Sequence, residues 1–196
     1  MTDRTNWAEV DLSALHVRFG ERPHMPAMPG ATEDHRRQGR KLAAIHRAHL
    51  MDMSRIARLL AAIKGGSEAP AALVQAVQAS DMAQNLRQFG ALCGRECQVL
   101  NFHHDAEEAG MFPELEAKGS DALRAVVARL RAEHEVVHEL IKRLSRAAMA
   151  LQFEPGEAGF DDARAVFEQL LEVVQSHFHY EETELEEAIG VHLTGL

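Results

Sequence analysis

The stretch DALRAVVARLRAEHEVVHELIKRLSRAAMALQF, residues 121–153, decides the fold. Leu123, Val127, Leu130, Val137, Ile141, Leu144 and Leu151 recur at steps of three and four, the spacing of one face of an α-helix. Ser120 supplies an N-cap oxygen in front of the run, and the turn EPGEAG at 154–159 stops it. One position breaks the pattern. Where the stripe calls for an apolar residue it has His134, and His138 follows one turn later on the same face.

Working outward, the same rhythm appears on either side. From about Glu33 to Lys64 the apolar positions are Leu42, Ile45, Met53, Ile56, Leu60 and Ile63, with Gly65 and Gly66 as terminators. After GGSEAP a short helical piece is expected at Pro70–Ala79. A second long helix follows, capped by Ser80 or Asp81, ending near Lys118, and striped by Met82, Leu86, Phe89, Cys93, Leu100 and Met111. Gly90 and Gly94 weaken it locally. A fourth opens at Asp161 or Asp162, carries Phe167, Leu170, Val174 and Leu185 inward, and runs to about Ala188 before Gly190. Four amphipathic helices joined by short turns pack most simply as an all-α, up-down-up-down antiparallel four-helix bundle. Residues 1–32, broken by Pro23, Pro26 and Pro29, read as an irregular N-terminal arm or tail without chemistry. The expected domain is 33–190, with 191–196 as a C-terminal tail.

Composition agrees with this and narrows the partners. Helix formers dominate and aromatic residues are 5% of the 196 residues. A formal charge of -9 with scattered cations disfavours nucleic acid and anionic membranes. No apolar run approaches the roughly 20 residues of a membrane span, so a cytoplasmic address is expected. The two cysteines, Cys93 and Cys97, are spaced i, i+4 within a helical pattern and read as small buried thiols.

Twelve histidines beside one Trp and one Tyr require another explanation. His103 follows Leu100 by three residues, and Glu107 lies one turn beyond. His177 follows Val174 by three, with Glu181 four later. His46 lies four after Leu42. A carboxylate buried without a positive partner costs several kcal/mol or more, and no Lys or Arg shares these stripes. A metal supplies the charge, and neutral imidazoles ligate it well. The heights agree. At about 1.5 Å per residue, the His103–Glu107 midpoint lies roughly 18 Å before its helix ends, that of His134–His138 about 22 Å after its helix starts, and that of His177–Glu181 about 27 Å into the fourth.

With these positions in hand, HHDAEEAGMFPEL at 103–115 and HFHYEETELEEAI at 177–189 resemble the H-x-x-x-E elements of the hemerythrin-like, HHE cation-binding family. The resemblance implies two oxo- or hydroxo-bridged non-haem iron ions. It places His134, His138 and His177 on one and His46 and His103 on the other, with Glu107 and Glu181 bridging and a position left for dioxygen. His49 competes with His46, and Glu182 with Glu181, whose segment lacks the proline that the family often places after its carboxylate. His16, His24, His35, His104, His179 and His192 are expected to be solvated or supporting, with His104 the foremost candidate to orient a ligand. The remainder of the acidic run to Glu187 reads as a solvated face.

The string His134-Glu135-Val136-Val137-His138 also fits the H-E-x-x-H zinc-protease pattern, but that reading leaves His103, Glu107, His177 and Glu181 without a role. A ferritin-like centre needs Glu-x-x-His on two helices, and only Glu135–His138 offers it. The expected function is therefore a di-iron protein that binds dioxygen or a related ligand such as nitric oxide, for storage, delivery or sensing, behind an apolar shell of Met53, Leu100, Ile141 and Val174. The alternatives are a di-iron enzyme that acts on peroxide or oxidises iron, and a metal-free helical interaction module.

Overall fold

The computed structural model describes residues 6–17, 22–65, 95–153 and 156–193. Two 3-10 turns, Trp7–Glu9 and Leu12–Ala14, precede α1, Glu33–Lys64. Then come α2 (Arg95–Ala106), a π-helical turn (Glu107–Met111), α3 (Phe112–Lys118), α4 (Asp121–Phe153) and α5 (Glu157–His192). There is no strand among the described residues. None of the described helices is long and apolar enough to cross a membrane.

The expected short helix at Pro70–Ala79 and the positions Ser80, Asp81, Met82, Leu86, Phe89, Gly90, Cys93 and Gly94 lie outside the described residues, as do the side chains of Ile56, Ile63, Cys97 and Leu151. Elsewhere local chemistry accounts for the boundaries. Ser120 Oγ accepts the Leu123 N–H at 3.2 Å, as an N-cap should. Thr32 plays the same part for α1, accepting the His35 N–H on its Oγ1 at 3.3 Å. The π turn runs α2 into α3 without a break. Its Phe112 N–H donates to Glu107 O, an i to i+5 bond, just before Pro113, which has no N–H to give.

α5 is longer at both ends than its sequence suggests. It starts at Glu157 after an extended Gly156 and continues through Gly190 to His192. Gly190 does not end the helix because its missing side chain serves packing. A Cβ there would lie 1.9 Å from His35 O, and one on Gly39 would lie 2.0 Å from Glu186 O. These two close approaches bring α1 and α5 together in opposite directions, and the burial gained offsets the roughly 1 kcal/mol that glycine costs inside a helix.

α5 packs along both α1 and α4, while α2 touches α1 and α4. The apolar stripes build two separate core clusters. One contains Met53, Leu100, Val137, Ile141, Phe167, Leu170, Val174 and Phe178. The other contains Leu42, Met111, Phe112, Leu115, Leu123, Leu130, Leu185 and Ile189. His46, His103, His134 and His177 each fall, along the chain, between a residue of one cluster and a residue of the other, so a polar layer crosses the interior. Ahead of α1, Leu15 and Val17 are buried in the first cluster, and Gln169 Nε2 donates to Leu15 O at 3.1 Å.

Candidate metal centre

The polar layer consists of two groups of side chains. His46, His103, Glu107 and Glu181 have donor atoms all within 4.8 Å of one another, and so do His104, His134 and His177. α1 supplies His46, the α2–π segment supplies His103, His104 and Glu107, α4 supplies His134, and α5 supplies His177 and Glu181. The two groups meet at the carboxylates. Glu107 Oε1 lies 3.0 Å from His103 Nε2, off the line a hydrogen bond would take, and its Oε2 lies 3.4 Å from His134 Nε2. Glu181 Oε2 lies 3.4 Å from His46 Nε2 and 3.8 Å from His177 Nε2. His46 Nε2 and His103 Nε2 are 2.9 Å apart.

These separations suit metal ligation. An ion bonded at about 2.1 Å to two donors at a right angle holds them about 3.0 Å apart. The hydrogen-bond accounting agrees. Of the eight buried side-chain N and O atoms that lack a hydrogen bond among the described residues, seven belong here: His104 Nε2, His134 Nε2, His177 Nε2 and all four oxygens of Glu107 and Glu181. The other is Arg164 Nε. Leaving one buried polar group unpaired costs about 1–3 kcal/mol, and a metal cation, which accepts lone pairs, could serve all seven at once.

Electrostatics prepares the imidazoles for such a partner. Burial, reinforced by His103, pushes the His46 ring down to about 2, so it is neutral at ordinary pH. Burial also holds His104 well below the usual histidine value, with His134 adding to the effect. His177 is lowered by burial although Glu133 opposes it. The carboxylates diverge. Burial alone would raise Glu107, but the His103 and His134 rings beside it outweigh that and hold it below the usual range. Burial and then the neighbouring Glu107 push Glu181 well above it. Two carboxyl groups sharing one dry site cannot both ionise without added positive charge.

The outward ring nitrogens have partners that fix their tautomers. His46 Nδ1 faces Glu182 Oε1 at 2.9 Å, His134 Nδ1 faces Glu108 Oε1 at 2.8 Å, and His177 Nδ1 faces Glu133 Oε2 at 3.2 Å. Arg131 pairs with Glu108. Phe178 stacks on His46 with ring centroids 3.7 Å apart.

Six of the seven residues singled out from the sequence, His46, His103, Glu107, His134, His177 and Glu181, are brought together. His138 stands apart from both groups, half-buried, with its Nε2 3.3 Å from His104 Nδ1. His104, rather than His138, has a donor atom within 4.8 Å of those of His134 and His177. Consecutive residues on a helix point about 100° apart, so His103 and His104 face opposite sides of the α2 inner surface and serve one group each. His49 is buried against His103 and Phe178 without joining either group. Glu182 lies on the far side of His46. The sequence reading also missed Glu108 and Glu133. The doubled pattern His103-His104-x-x-Glu107-Glu108 was the available signal for His104 and Glu108, with an inner and an outer member in each pair. The acidic run after Glu181 is not wholly solvated, since Glu184 is buried.

No curated protein and no solved structure matches the chain. The sequence model of the hemerythrin HHE cation-binding domain matches residues 32–189, well over half of the chain. The matched span contains every member of both groups, and with that the chain belongs to the hemerythrin HHE cation-binding domain family.

Proposed function

We propose that this chain is a non-haem di-iron protein that binds dioxygen or a related small ligand such as nitric oxide. In this reading the helical spans 33–64, 95–118, 121–153 and 157–192 form an up-down-up-down four-helix bundle over a domain of about 33–190. The observation that carries the reading is the convergence of seven buried donor atoms without hydrogen bonds. His46 and His103 would hold one iron, and His104, His134 and His177 the other, with Glu107 and Glu181 between them. Nitrogen and carboxylate donors together suit iron. When bound, the pair supplies a redox-active centre with room for a small ligand.

The remaining work belongs to the side chains. Glu182, Glu108 and Glu133 accept the outward N–H of His46, His134 and His177, which leaves each inner Nε2 lone pair free. His138 takes that supporting part beside His104. Met53, Leu100, Ile141 and Val174, all buried in one cluster, exclude water from one side of the layer. Phe112 and Leu130 do so from the other.

The test is to load the protein with ferrous iron under anaerobic conditions and then admit dioxygen. A visible charge-transfer band that appears with dioxygen and vanishes when it is pumped away supports carriage or sensing. Absence of any band, or steady turnover of added peroxide, contradicts it, and the latter assigns the centre to an enzyme.

A further inference from the structure

The carboxylate beside His177 is gripped from outside the long helices. Glu133 Oε2 faces His177 Nδ1, and the same carboxylate receives a fork from Arg22: Nε donates to Oε1 at 2.8 Å and Nη2 to Oε2 at 2.9 Å. Arg129 Nε adds a third bond, to Oε1 at 2.7 Å. Arg22 is only 7% exposed and comes from the segment that precedes α1. Its guanidinium also donates to Ser176 Oγ at 3.0 Å and lies 4.6 Å over the Tyr180 ring.

The residues after Arg22 fasten this segment along α5. Tyr180 Oη donates to Pro23 O at 2.7 Å. The Met25 N–H donates to Glu184 Oε2 at 2.6 Å, and the Met28 N–H to Glu187 Oε2 at 2.7 Å. The strap is thus tied to α5 from Ser176 to Glu187, alongside both His177 and Glu181.

We propose that this strap is a working part of the centre, with Arg22 as a positioning residue that sets the orientation of His177 through Glu133. The inference rests on the metal-site reading above and adds to it a dependence on residues outside the four helices. The fork decides the geometry. A carboxylate held by one bond can swivel, whereas two parallel bonds from a planar guanidinium fix its plane, and here the fixed plane aims Oε2 at His177. Carboxylates that orient a metal-bound imidazole typically account for 10–100-fold in metal affinity. Lysine keeps the charge of Arg22 but cannot make the fork, so charge and geometry are separable.

The experiment compares iron affinity, by chelator competition, and reduction potential in the full chain, in Arg22→Gln and Arg22→Lys, and in Arg36→Ala, which removes an ion pair between α1 and Glu187 and leaves Arg22 and Glu133 untouched. Arg22→Gln and Arg22→Lys are expected to weaken one of the two irons by about 10–100-fold while sparing the other. The potential should become more negative in Arg22→Gln, where a buried positive charge is lost, and Arg36→Ala should keep both irons at wild-type affinity. A measurement on the unmodified chain needs no variant to fold. If the strap supports the ligand, the ligated metal must in turn support the strap, so the Met25 and Met28 amides should exchange hydrogen more slowly once iron is bound. Two irons held with unchanged affinity and potential in Arg22→Gln, or strap exchange indifferent to iron, overturn this inference and leave the metal-site reading standing. A wild-type chain that takes up no iron overturns both.

Discussion

Replacing Glu181 by methionine should stabilise the metal-free protein and abolish its stabilisation by iron. Glu181 is fully buried, neither oxygen has a hydrogen bond, and Glu107 stands close by. Its folded-state value is raised, by burial first and Glu107 second, above an ordinary value near 4.5. Its contribution to stability is therefore fully present below pH 4.5 and is lost as pH rises through the folded-state value. At neutral pH the metal-free wild type carries that loss, and methionine of similar length does not. Exchanging buried ionic groups for apolar ones of similar volume has stabilised other proteins by about 1–4 kcal/mol, and each kcal/mol moves the midpoint by roughly 2–4 °C in a chain of this size. With iron the order should reverse, because a ligand at 1,000 times its Kd adds about 4 kcal/mol to the wild type and little to the variant. The assay is thermal unfolding followed by circular dichroism, with chelator and with iron, at pH 7 and near pH 4.5. In chelator the variant should melt higher at pH 7, and the gap should close in acid. A metal-free variant less stable than wild type at pH 7 would refute the claim that Glu181 is held in place for a cation.

Other expectations follow from the same geometry. Gly190→Ala would put a Cβ 1.9 Å from the backbone oxygen of His35, so α1 and α5 must part. A net loss of about 1–3 kcal/mol in urea unfolding is expected despite better helix propensity, and a variant as stable as wild type would contradict the close packing. His104→Ala should lose one iron by metal analysis, whereas His138→Ala should keep both with affinity lowered by about 10–100-fold; the opposite order would make His138 the ligand. In the metal-free protein His46 titrates at about 2 in place of 6.5, so its contribution is present above pH 6.5 and is lost as pH falls towards 2. In Glu181→Met, where the opposing carboxyl is gone, denaturant midpoints of the metal-free protein should fall from pH 7 to pH 5, and midpoints that rise over that range would contradict a buried neutral imidazole at His46.

Much of the site was legible because a buried ionisable residue is conspicuous on an apolar stripe. His46, His103, Glu107, His134, His177 and Glu181 each occupy a position that helical periodicity reserves for a hydrophobic side chain, and all six converge. His104 was less visible because it lies beside the stripe, and the inner face of α2 is wide enough to use two adjacent histidines. Glu108 and Glu182 sit one residue past an inner carboxylate, which in sequence is the signature of a solvated flank. Only the partner helix shows that they meet imidazoles. Arg22 was out of reach for a different reason. Its link to Glu133 joins residues 111 apart in sequence, and no periodicity encodes such a contact. The extension of α5 through Gly190 likewise depends on α1 lying against it, a tertiary fact that overrides glycine's local preference.

The central claim, that these imidazoles and carboxylates enclose two cations, is tested most directly by counting iron in the anaerobically loaded chain and in a His103→Ala, His134→Ala double variant, which removes one imidazole from each group. The wild type should hold two irons per chain, and the double variant should hold neither under the same chelator challenge while keeping its helical circular dichroism. A wild-type chain without iron, or a double variant that retains both ions, would contradict the account.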